Sequence, residues 1–366
     1  MKKYPLIVSI IVIQLVLFAE ETFKDIQVGG IFFVDSGGYI YTNSDWHSIT
    51  KYSPSGKLLQ TIGRAGEGPS DIKRLGWSSM NPIDKNIYIA ESYGGNKWIS
   101  KFSSDGKYLG ELNCEIDRKK WQGISYIQFD DTGNIYLQLV RSIPMHQKDF
   151  TLLPEESALV KFLPNGKLKK EIYKVCSDSF AEKGGKGNIR IPFGNYLHWN
   201  VYRDRIIINE CKDEYISIFD LDGNFKEKMP LPFKKEKVTQ NDLDAWEESL
   251  KSTDMVKKGT AEGWFDLKYW MSRLPFPKYK PVSAGQLYID SHGSLYIMKA
   301  SGYDLSSTGS TTWAKINLNT GSASIINSAP DEWLKAFWKE FIYTTKIDEN
   351  GDYIVVKRSE KGFFKE

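Results

Sequence analysis

The sequence predicts an all-β fold, a six-bladed β-propeller of four-stranded antiparallel blades, with short helices in the insertions between blades. Two turn patterns alternate along the chain, and the pair recurs about every 50 residues, a spacing typical of propeller blades. β-branched and aromatic residues flank these turns. The 19 Phe, 20 Tyr and 11 Trp residues are expected to lie mostly in strands and in the core.

The first pattern is an apolar strand, a turn containing Asp, Asn or Gly, and a second apolar strand. Gly and Asn permit the positive φ of a tight hairpin turn. The six copies are IFFVDSGGYIY (31–41), NPIDKNIYIA (81–90), YIQFDDTGNIYLQL (126–139), VYRDRIIIN (201–209), LYIDSHGSLYIM (287–298) and YTTKIDENGDYIVV (343–356).

The second pattern is a strand, a turn that ends in Gly, and another strand. One copy of each pattern makes a four-stranded meander, and their strict alternation favours a propeller over an open run of hairpins or two β-sandwiches. The five copies are ITKYSPSGKLLQTI (49–62), ISKFSSDGKYLGEL (99–112), LVKFLPNGKLKKEI (159–172), ISIFDLDGNFKEKM (216–229) and WAKINLNTGSASII (313–326).

The sixth blade lacks an outer half, and a strand near the N-terminus is predicted to complete it. This strand, TFKDIQV at 22–28, would close the ring and remove an exposed sheet edge. Residues 20–366 are expected to form a single domain, with the segment 230–284 inserted between blades four and five.

Two longer segments resemble motifs of a known group of proteins. GRAGEGPSDI (63–72) and LPFPKYKPVSAGQLYIDSHGSLYI (274–297) resemble motifs of bacterial six-bladed propellers related to NHL repeats. The resemblance extends over essentially the whole chain after residue 19. It implies the fold and leaves the function open, since this architecture includes binding proteins, scaffolds, lactonases and lyases.

Residues 1–19 have the pattern of a secretory signal peptide. Lys2 and Lys3 precede an apolar run at 6–19, and Ala19 occupies a plausible cleavage position. The run is shorter than the roughly 20 residues that span a bilayer. Cleavage is therefore expected, with no stable membrane span afterwards, and the chain is predicted to be exported to a periplasm or secreted.

Charge and cysteine content narrow the function classes. A net charge of +3 gives no electrostatic basis for binding nucleic acid. Cys114, Cys176 and Cys211 form no CxxC pair, so neither a thiolate zinc site nor a redox motif is supported. All three are expected to be small buried hydrophobic residues, with one disulfide as the alternative in an oxidising compartment.

The four strands of a blade, labelled a to d from the axis outward, define two faces of the ring. The a–b and c–d turns lie on one face, here the turn face. The b–c loops and the d–a links lie on the other, here the loop face. The insertions at 140–158, 174–197, 230–284 and 327–341 all belong to the loop face, which is therefore predicted to carry the function.

Two insertions carry helix signals. The segment 241–251 (NDLDAWEESLK) begins with Asn and acidic residues. The segment from Ser328 to Asp331 resembles a capping box, and Trp333, Phe337 and Phe341 then follow on one helical face. Both helices are predicted to form a cap packed over the channel, with a lid or a docking helix as the alternative.

No catalytic constellation is recognisable. The histidines His47, His146, His198 and His292 have no partner at ligand spacing. The acidic residues of the first pattern are expected to form turns on the turn face: Asp35, Asp84, Asp130, Asp290 and Asp348. Asn209 and Glu210 lie on the loop face without matching residues in other blades. Gly63, Gly66 and Gly68 fit an inter-blade link fixed by Pro69 rather than a phosphate cradle. No metal or cofactor is predicted.

Aromatic and polar residues of the b–c loops are the candidate ligand-binding residues, since such side chains suit stacking and docking. They are Trp46, His47, Tyr93, Trp98, Arg141, His146 and Tyr303. The sequence thus predicts a monomeric, exported, non-enzymatic binding or scaffolding propeller that docks a protein, peptide or glycan. The alternative is a metal-dependent lyase or lactonase with its site in the central channel.

Overall fold

Six antiparallel sheets are arranged as a ring of blades in the structure, a computed structural model, which confirms the predicted six-bladed propeller. No helix within the described residues is long and apolar enough to span a membrane. The described residues are 20–27, 29–30, 32–43, 45–91, 98–146, 151–182, 188–263, 265–300, 312–328 and 332–365.

The first half of the chain forms three blades, after the short strand β1 (Glu21–Phe23). Blade one contains β2 (Phe32–Val34), β3 (Ile40–Thr42), β4 (Ile49–Tyr52) and β5 (Leu58–Ile62). Blade two contains β6 (Leu75–Met80), β7 (Ile87–Glu91), β8 (Ile99–Phe102) and β9 (Tyr108–Glu111). Blade three contains β10 (Gly123–Phe129), β11 (Ile135–Ser142), β12 (Met145–His146), β13 (Thr151–Phe162), β14 (Leu168–Glu182) and β15 (Asn188–Arg190).

The second half forms the other three blades. Blade four contains β16 (Leu197–Tyr202), β17 (Arg205–Glu210), β18 (Tyr215–Asp220) and β19 (Phe225–Pro230). Blade five contains β20 (Ser283–Ile289), β21 (Ser294–Lys299), β22 (Thr312–Asn317) and β23 (Ala323–Ser328). Blade six contains β24 (Glu332–Trp338), β25 (Phe341–Ile347) and β26 (Tyr353–Ser359). The C-terminal β27 (Phe364–Lys365) adds a fifth strand to blade five.

Strand β1 closes the ring as the d strand of blade six, as predicted. It pairs with β26, with Thr22 opposite Val356. Ion pairs support this pairing, because Glu20 lies 3.1 Å from Lys346 and 3.0 Å from Arg358. On the turn face, Gly38 of blade one has a φ of +83°, and a β-carbon there would lie 2.8 Å from the Trp338 ring of blade six. Glycine is therefore required at this blade contact.

The apolar core is divided among the blade interfaces. Six clusters of buried side chains lie between successive blades, including one between blades six and one. The last of these joins Phe23 and Tyr343 to Phe32, Ile40 and Tyr52. Because each blade buries both faces against its neighbours, the packing depends on the ring being closed.

The described residues of the insertion between blades four and five form three helices: α1 (Gln240–Ser252), α2 (Asp254–Ala261) and α3 (Leu267–Met271). A fourth, α4 (Glu360–Phe363), precedes β27. The helix predicted at 241–251 is confirmed, and Thr239 and Asp242 form its capping box. Its buried Trp246 joins a cluster with Ile191 and Leu152 of the blade-three region. The predicted cap over the channel is wrong for this segment, because the helices pack against this apolar surface and contribute no residue to the channel lining.

The helix predicted after Ser328 is also wrong. Residues 332–338 form β24, the innermost strand of blade six. Phe337 stacks on Tyr296 of blade five with ring centroids 4.7 Å apart, and Phe341 begins β25. The spacing of four residues between the aromatic side chains favours a helix locally, but closure of the ring demands a strand here. Tertiary context thus overrides the local pattern.

This correction changes the assignment of the hairpin 343–356. It is the b–c hairpin of blade six, not the a–b hairpin, so Asp348 lies on the loop face rather than the turn face. It still forms a turn, since its Oδ1 accepts hydrogen bonds from the backbone N–H groups of Asn350 and Asp352. The expected link at 327–341 therefore shrinks to 329–331, which lies outside the described residues.

The insertions predicted in blade three prove to be mostly strand. β13 and β14 pair from Phe162 and Leu168 out to Thr151 and Glu182. β12 and β15 extend this hairpin at its far end. The described strands of the segments 140–158 and 174–197 therefore form a long ribbon, because each strand satisfies the backbone hydrogen bonds of the other.

The prediction for the three cysteines is only partly correct. All three are free. Cys211 is buried, Cys114 is half-buried, and Cys176 is exposed. Burial raises the pKa of Cys114 and Cys211 to about 12. Neither of these two thiols is therefore activated as a nucleophile.

An aspartate in the a–b turn ties the turn face to the core in several blades. In blade three, the Asp130 carboxylate accepts hydrogen bonds from the backbone N–H groups of Thr132 and Asn134. It also accepts one from the buried hydroxyl of Tyr136, at 3.1 Å. The pairs Asp35–Tyr41 and Asp290–Tyr296 repeat the contact with the tyrosine at the same spacing, and Asp84–Tyr88 is a shorter version.

Replacing this aspartate should destabilise the fold. We expect Asp130→Ala to lower the free energy of unfolding at neutral pH by ~2–4 kcal/mol, because several buried donors lose their acceptor. The measurement is urea unfolding followed by tryptophan fluorescence. Asp131→Ala is the matched control, since this neighbouring carboxylate is exposed, and a change of at most ~0.5 kcal/mol is expected.

The same pair of variants has a pH signature. Burial alone would raise the pKa of Asp130, but hydrogen bonds from Asn134 and Thr132 hold it below the ordinary value. The carboxylate therefore contributes stability that is present above the ordinary aspartate pKa and lost as pH falls through the lowered one. The difference between wild type and Asp130→Ala should shrink in acid. A difference that stays constant or grows would contradict this role.

Candidate functional site

A cavity of about 710 Å³ lies on the loop face where blades five, six and one meet. Its walls come from the loop-face ends of β20, β24 and β26, and from the residues that lead into β2. Large apolar groups dominate the lining, among them Phe32, Trp313, Trp333, Leu334 and Tyr353. A cavity of this size and composition is typical of a small-molecule site.

A second, smaller cavity of about 200 Å³ lies on the propeller axis. All six innermost strands contribute to its lining, so it is part of the central channel. Phe32, Gln286, Tyr288 and Lys335 line both cavities. The loop-face cavity and the channel therefore meet around these four side chains.

The strand pairing is irregular at Gln286 and Lys335, two of the residues that line both cavities. The pairing of β24 with β25 shifts between Leu334 and Ala336, so Lys335 is the bulged residue. The pairing of β20 with β21 shifts between Ala284 and Tyr288, and Gly285 within it has a φ of +72°. Bulges redirect side chains and are common beside functional sites.

The charges around the cavity are unequally compensated. Glu332 is paired with Arg358 at 3.1 Å, and both side chains are about 10% exposed. Lys335, by contrast, has no hydrogen-bond or ion-pair partner among the residues that the structure describes. Desolvation lowers its pKa below the ordinary lysine value, since burial disfavours the charged form.

Two tyrosines of the channel remain neutral phenols. Burial raises the pKa of Tyr126 to about 12, despite the opposing effect of a hydrogen bond from Gln128. Burial also raises the pKa of Tyr288. Neither hydroxyl is therefore suited to act as a general base near neutral pH.

The sequence-predicted ligand residues are distributed over the b–c loops of several blades. Tyr93 and Tyr303 lie outside the described residues. The described candidates are Trp46, His47, Trp98, Arg141 and His146, and neither cavity is lined by any of these five. As a binding surface, this set stays a prediction.

The surroundings of these five candidates differ. Trp46 is 64% exposed, with Arg74 over its ring. His47 is held by a 3.0 Å contact between its Nδ1 and the carbonyl of Ile72. His146 is exposed and contacts Thr151.

The other two candidates lie closer to the protein body. The Arg141 Nε donates to Glu156 at 2.8 Å, and Lys174 pairs with the same carboxylate. Trp98 packs beside the core cluster between blades two and three. Trp46 and His146 are therefore the two of the five whose rings are exposed.

The histidines and cysteines are dispersed over several blades. All of them lie in the part of the chain that the structure covers, where no three His, Cys, Asp or Glu residues come together. His198 lies on β16, and its buried Nε2 has no hydrogen-bond partner among the described residues. Burial lowers its pKa to about 4, so the ring is neutral at physiological pH.

Asn209 and Glu210 have structural partners in and around blade four. Asn209 is buried, and its Oδ1 accepts a hydrogen bond from Ser283. Glu210 accepts hydrogen bonds from Tyr173 at 2.5 Å and from Asn195 at 2.7 Å. These contacts connect blade four to blade three and to Ser283, which follows the insertion.

The glycine-rich link at 63–72 is closed by its own carboxylate. Asp71 accepts a hydrogen bond from the backbone N–H of Gly68 at 2.7 Å and pairs with Arg64 at the same distance. The Asp71 carboxylate therefore occupies the position that a bound phosphate would take in a phosphate-binding loop. The geometry fits the predicted inter-blade link.

Sequence reasoning missed Gln286, Lys335, Trp333 and Tyr353. Trp333 and Lys335 lie in the segment predicted as a helix, and Tyr353 in a hairpin predicted to face away from the loop face. The correct strand assignment of 332–338 would have placed Lys335 near the axis, since a strands line the channel of a propeller. No local motif marks the site, because its residues come from three blades.

The comparisons with known proteins support the fold and give no information on the function. No protein-family model matches the chain, and no curated protein matches it. A solved structure of a member of the DUF4221 family from Bacteroides vulgatus is similar, with 12% identity, a TM-score of 0.51, and coverage of 95% of this chain and 94% of that one. At this identity the likeness shows the fold alone. The relation to NHL repeats stays an expectation.

A second similar structure is a protein from Bacteroides fragilis whose description proposes that it is exported. It shares 11% identity with this chain and has a TM-score of 0.53, with coverage of 96% of this chain and 95% of that one. Both neighbours therefore match the whole propeller rather than a few blades.

The arrangement of potential ligands predicts that the protein carries no tightly bound zinc or calcium. The measurement is elemental analysis of residues 20–366, purified without chelators and without a His tag. We expect substantially less than one equivalent of either metal, because the described residues offer no cluster of three donors. Near-stoichiometric metal would contradict this reading and revive the metalloenzyme alternative.

Proposed function

We propose that the chain is an exported binding propeller, which receives part of a protein, peptide or glycan ligand in the cavity between blades five, six and one. The cavity itself carries this proposal. It lies on the loop face, it has a volume of about 710 Å³, and five aromatic side chains contribute to its walls. Such features are typical of ligand sites.

Two aromatic side chains of the walls contact each other. The rings of Trp333 and Tyr353 lie 5.6 Å apart at 46° to one another. Tyr353 is 53% exposed, so one side of this pair is open to an incoming group. Exposed aromatic residues at the edge of a cavity are frequent anchors in binding interfaces, since they bury a large area at low entropic cost.

Export is supported by the N-terminal sequence and by the place where the fold begins. Cleavage after Ala19 would leave Glu20 and β1, so the closing strand would remain in the mature chain. The similar Bacteroides fragilis protein, whose description proposes export, agrees with this assignment. The ring is compatible with removal of residues 1–19.

The alternative, a metal-dependent lyase or lactonase in the central channel, has less support. The channel residues Tyr126, Gln128, Asn200, Gln286 and Lys335 supply phenol, amide and amine groups rather than converging carboxylates or imidazoles. Divalent cations prefer carboxylate and carbonyl oxygens, and zinc prefers imidazole and thiolate. We therefore favour binding over catalysis.

A pair of tyrosine variants tests the proposed site. Tyr353→Ala should weaken ligand binding by roughly five- to thirtyfold, the effect of losing a typical interface anchor. Binding is measured by calorimetry against neutral oligosaccharides, acidic saccharides and short peptides with free C-termini. Tyr39→Ala is the matched control, because Tyr39 is also exposed but lies in a turn on the opposite face.

The two variants separate the faces of the propeller. The control should bind like wild type. If a ligand of wild type were insensitive to Tyr353→Ala but lost with Tyr39→Ala, the binding site would lie on the turn face and the proposal would be wrong. If no compound of the three classes bound to wild type, the proposal would also fail.

A further inference from the structure

The junction of the two cavities contains a lysine, Lys335, for which the described residues supply no counter-ion. Lys335 lines both cavities, and no described residue forms an ion pair or a hydrogen bond with it. An unpaired ammonium group surrounded by protein is costly, since burial removes its hydration. Such a group is retained more readily where a ligand supplies the missing anion.

The acidic groups near the cavity do not act as the counter-ion of Lys335. Glu332 accepts hydrogen bonds from Arg358 at 3.1 Å and from Thr344 at 3.2 Å, so its charge is already matched. The phenols Tyr288 and Tyr126 are kept neutral by burial. The protonated form of Lys335 therefore gives the cavity one positive charge that the lining does not balance.

Hydrogen-bond donors are in excess around the same space. The Gln286 amide, like Lys335, has no hydrogen-bond partner in the described part of the chain. Among the other lining residues, Trp313 Nε1, Trp333 Nε1 and Thr345 Oγ1 also have no partner among the described residues, but these atoms are buried out of reach of a ligand. The Lys335 ammonium group and the Gln286 amide are therefore the donors that favour a ligand with acceptor groups.

The shape of the cavity limits the rest of the ligand. Two aromatic pairs, Trp333–Tyr353 and Tyr288–Trp313, contribute to its walls with centroids 5.6 and 6.2 Å apart. A volume of about 710 Å³ suits a small molecule or the end of a chain rather than a folded surface. A ring next to the anionic group would place apolar atoms against these walls.

We propose that the cavity binds a small carboxylate that carries a ring, with the carboxylate held by Lys335 and Gln286 and the ring against Trp333 and Tyr353. Charge-assisted bonds from an ammonium group to a carboxylate are among the stronger hydrogen bonds. Two sources share this chemistry, a uronic acid and the C-terminal residue of a peptide. This inference rests on the proposed function and names the class of ligand for the same site.

The test compares charged and neutral forms of two probes on the mature chain (residues 20–366). One pair is glucuronate and methyl glucoside, and the other is N-acetylphenylalanine and its amide. At least one carboxylate should bind wild type about tenfold or more tightly than its neutral partner, as expected for a charge-assisted contact. The pair that shows this preference identifies the source.

Two lysine variants assign that preference. Lys335→Met, which keeps the length and apolar stem, should abolish the difference between charged and neutral probes. Lys339→Met is the control, because Lys339 lies in the a–b turn of the same blade, on the turn face, and the preference should be unchanged. Thermal unfolding of both variants shows whether they are folded.

A footprint on the unmodified protein supplies a second readout. Reductive methylation with formaldehyde and borohydride, read by mass spectrometry, should modify Lys335 several-fold less when the preferred carboxylate is bound, with no change at Lys339. If the carboxylates and their neutral partners bound equally well and binding still depended on Tyr353, this inference would be wrong and the proposed function would be unaffected. If none of the four probes bound and Lys335 were not protected, the inference would be wrong. If the oligosaccharides and peptides used to test the proposed function also failed to bind, the proposed function would be wrong as well.

Discussion

Closure of the ring is the constraint on which the other features of this propeller depend. Each blade buries apolar side chains against both neighbours, and Phe23 of β1, which pairs with β26, is part of the cluster between blades six and one. The same closure brings the residues before β2 beside blades five and six, where they form one wall of the loop-face cavity. A short N-terminal strand therefore completes both the core and the candidate site.

The two faces of the ring have different physical characters. On the turn face, short turns are fixed by aspartates that hold backbone N–H groups and buried tyrosines, as Asp130 does with Tyr136. On the loop face, bulges at Gly285 and Lys335 interrupt the regular pairing of the innermost strands. Rigid turns on one face and irregular backbone on the other leave the second face free to form a site, an arrangement common in scaffolds with functional loops.

The sequence predicted the fold better than the site. Six blades follow from turn residues that act locally, such as the Asp and Gly of 35–38 and 130–133. The segment 332–338 was misread because Trp333, Phe337 and Phe341 match a helical period, whereas their strand conformation depends on neighbours far away in sequence. Because of that error, Lys335 was not predicted to lie near the axis. No local sequence motif marks a cavity whose residues come from three blades.

An anionic ligand held by Lys335 at the junction of the two cavities would be visible in a crystal structure of the mature chain grown with the carboxylate that binds most tightly. We expect a carboxylate oxygen within about 3 Å of Lys335 Nζ, with the attached ring against Trp333 and Tyr353. A ligand bound elsewhere, or one whose carboxylate faces solvent away from Lys335, would contradict this expectation.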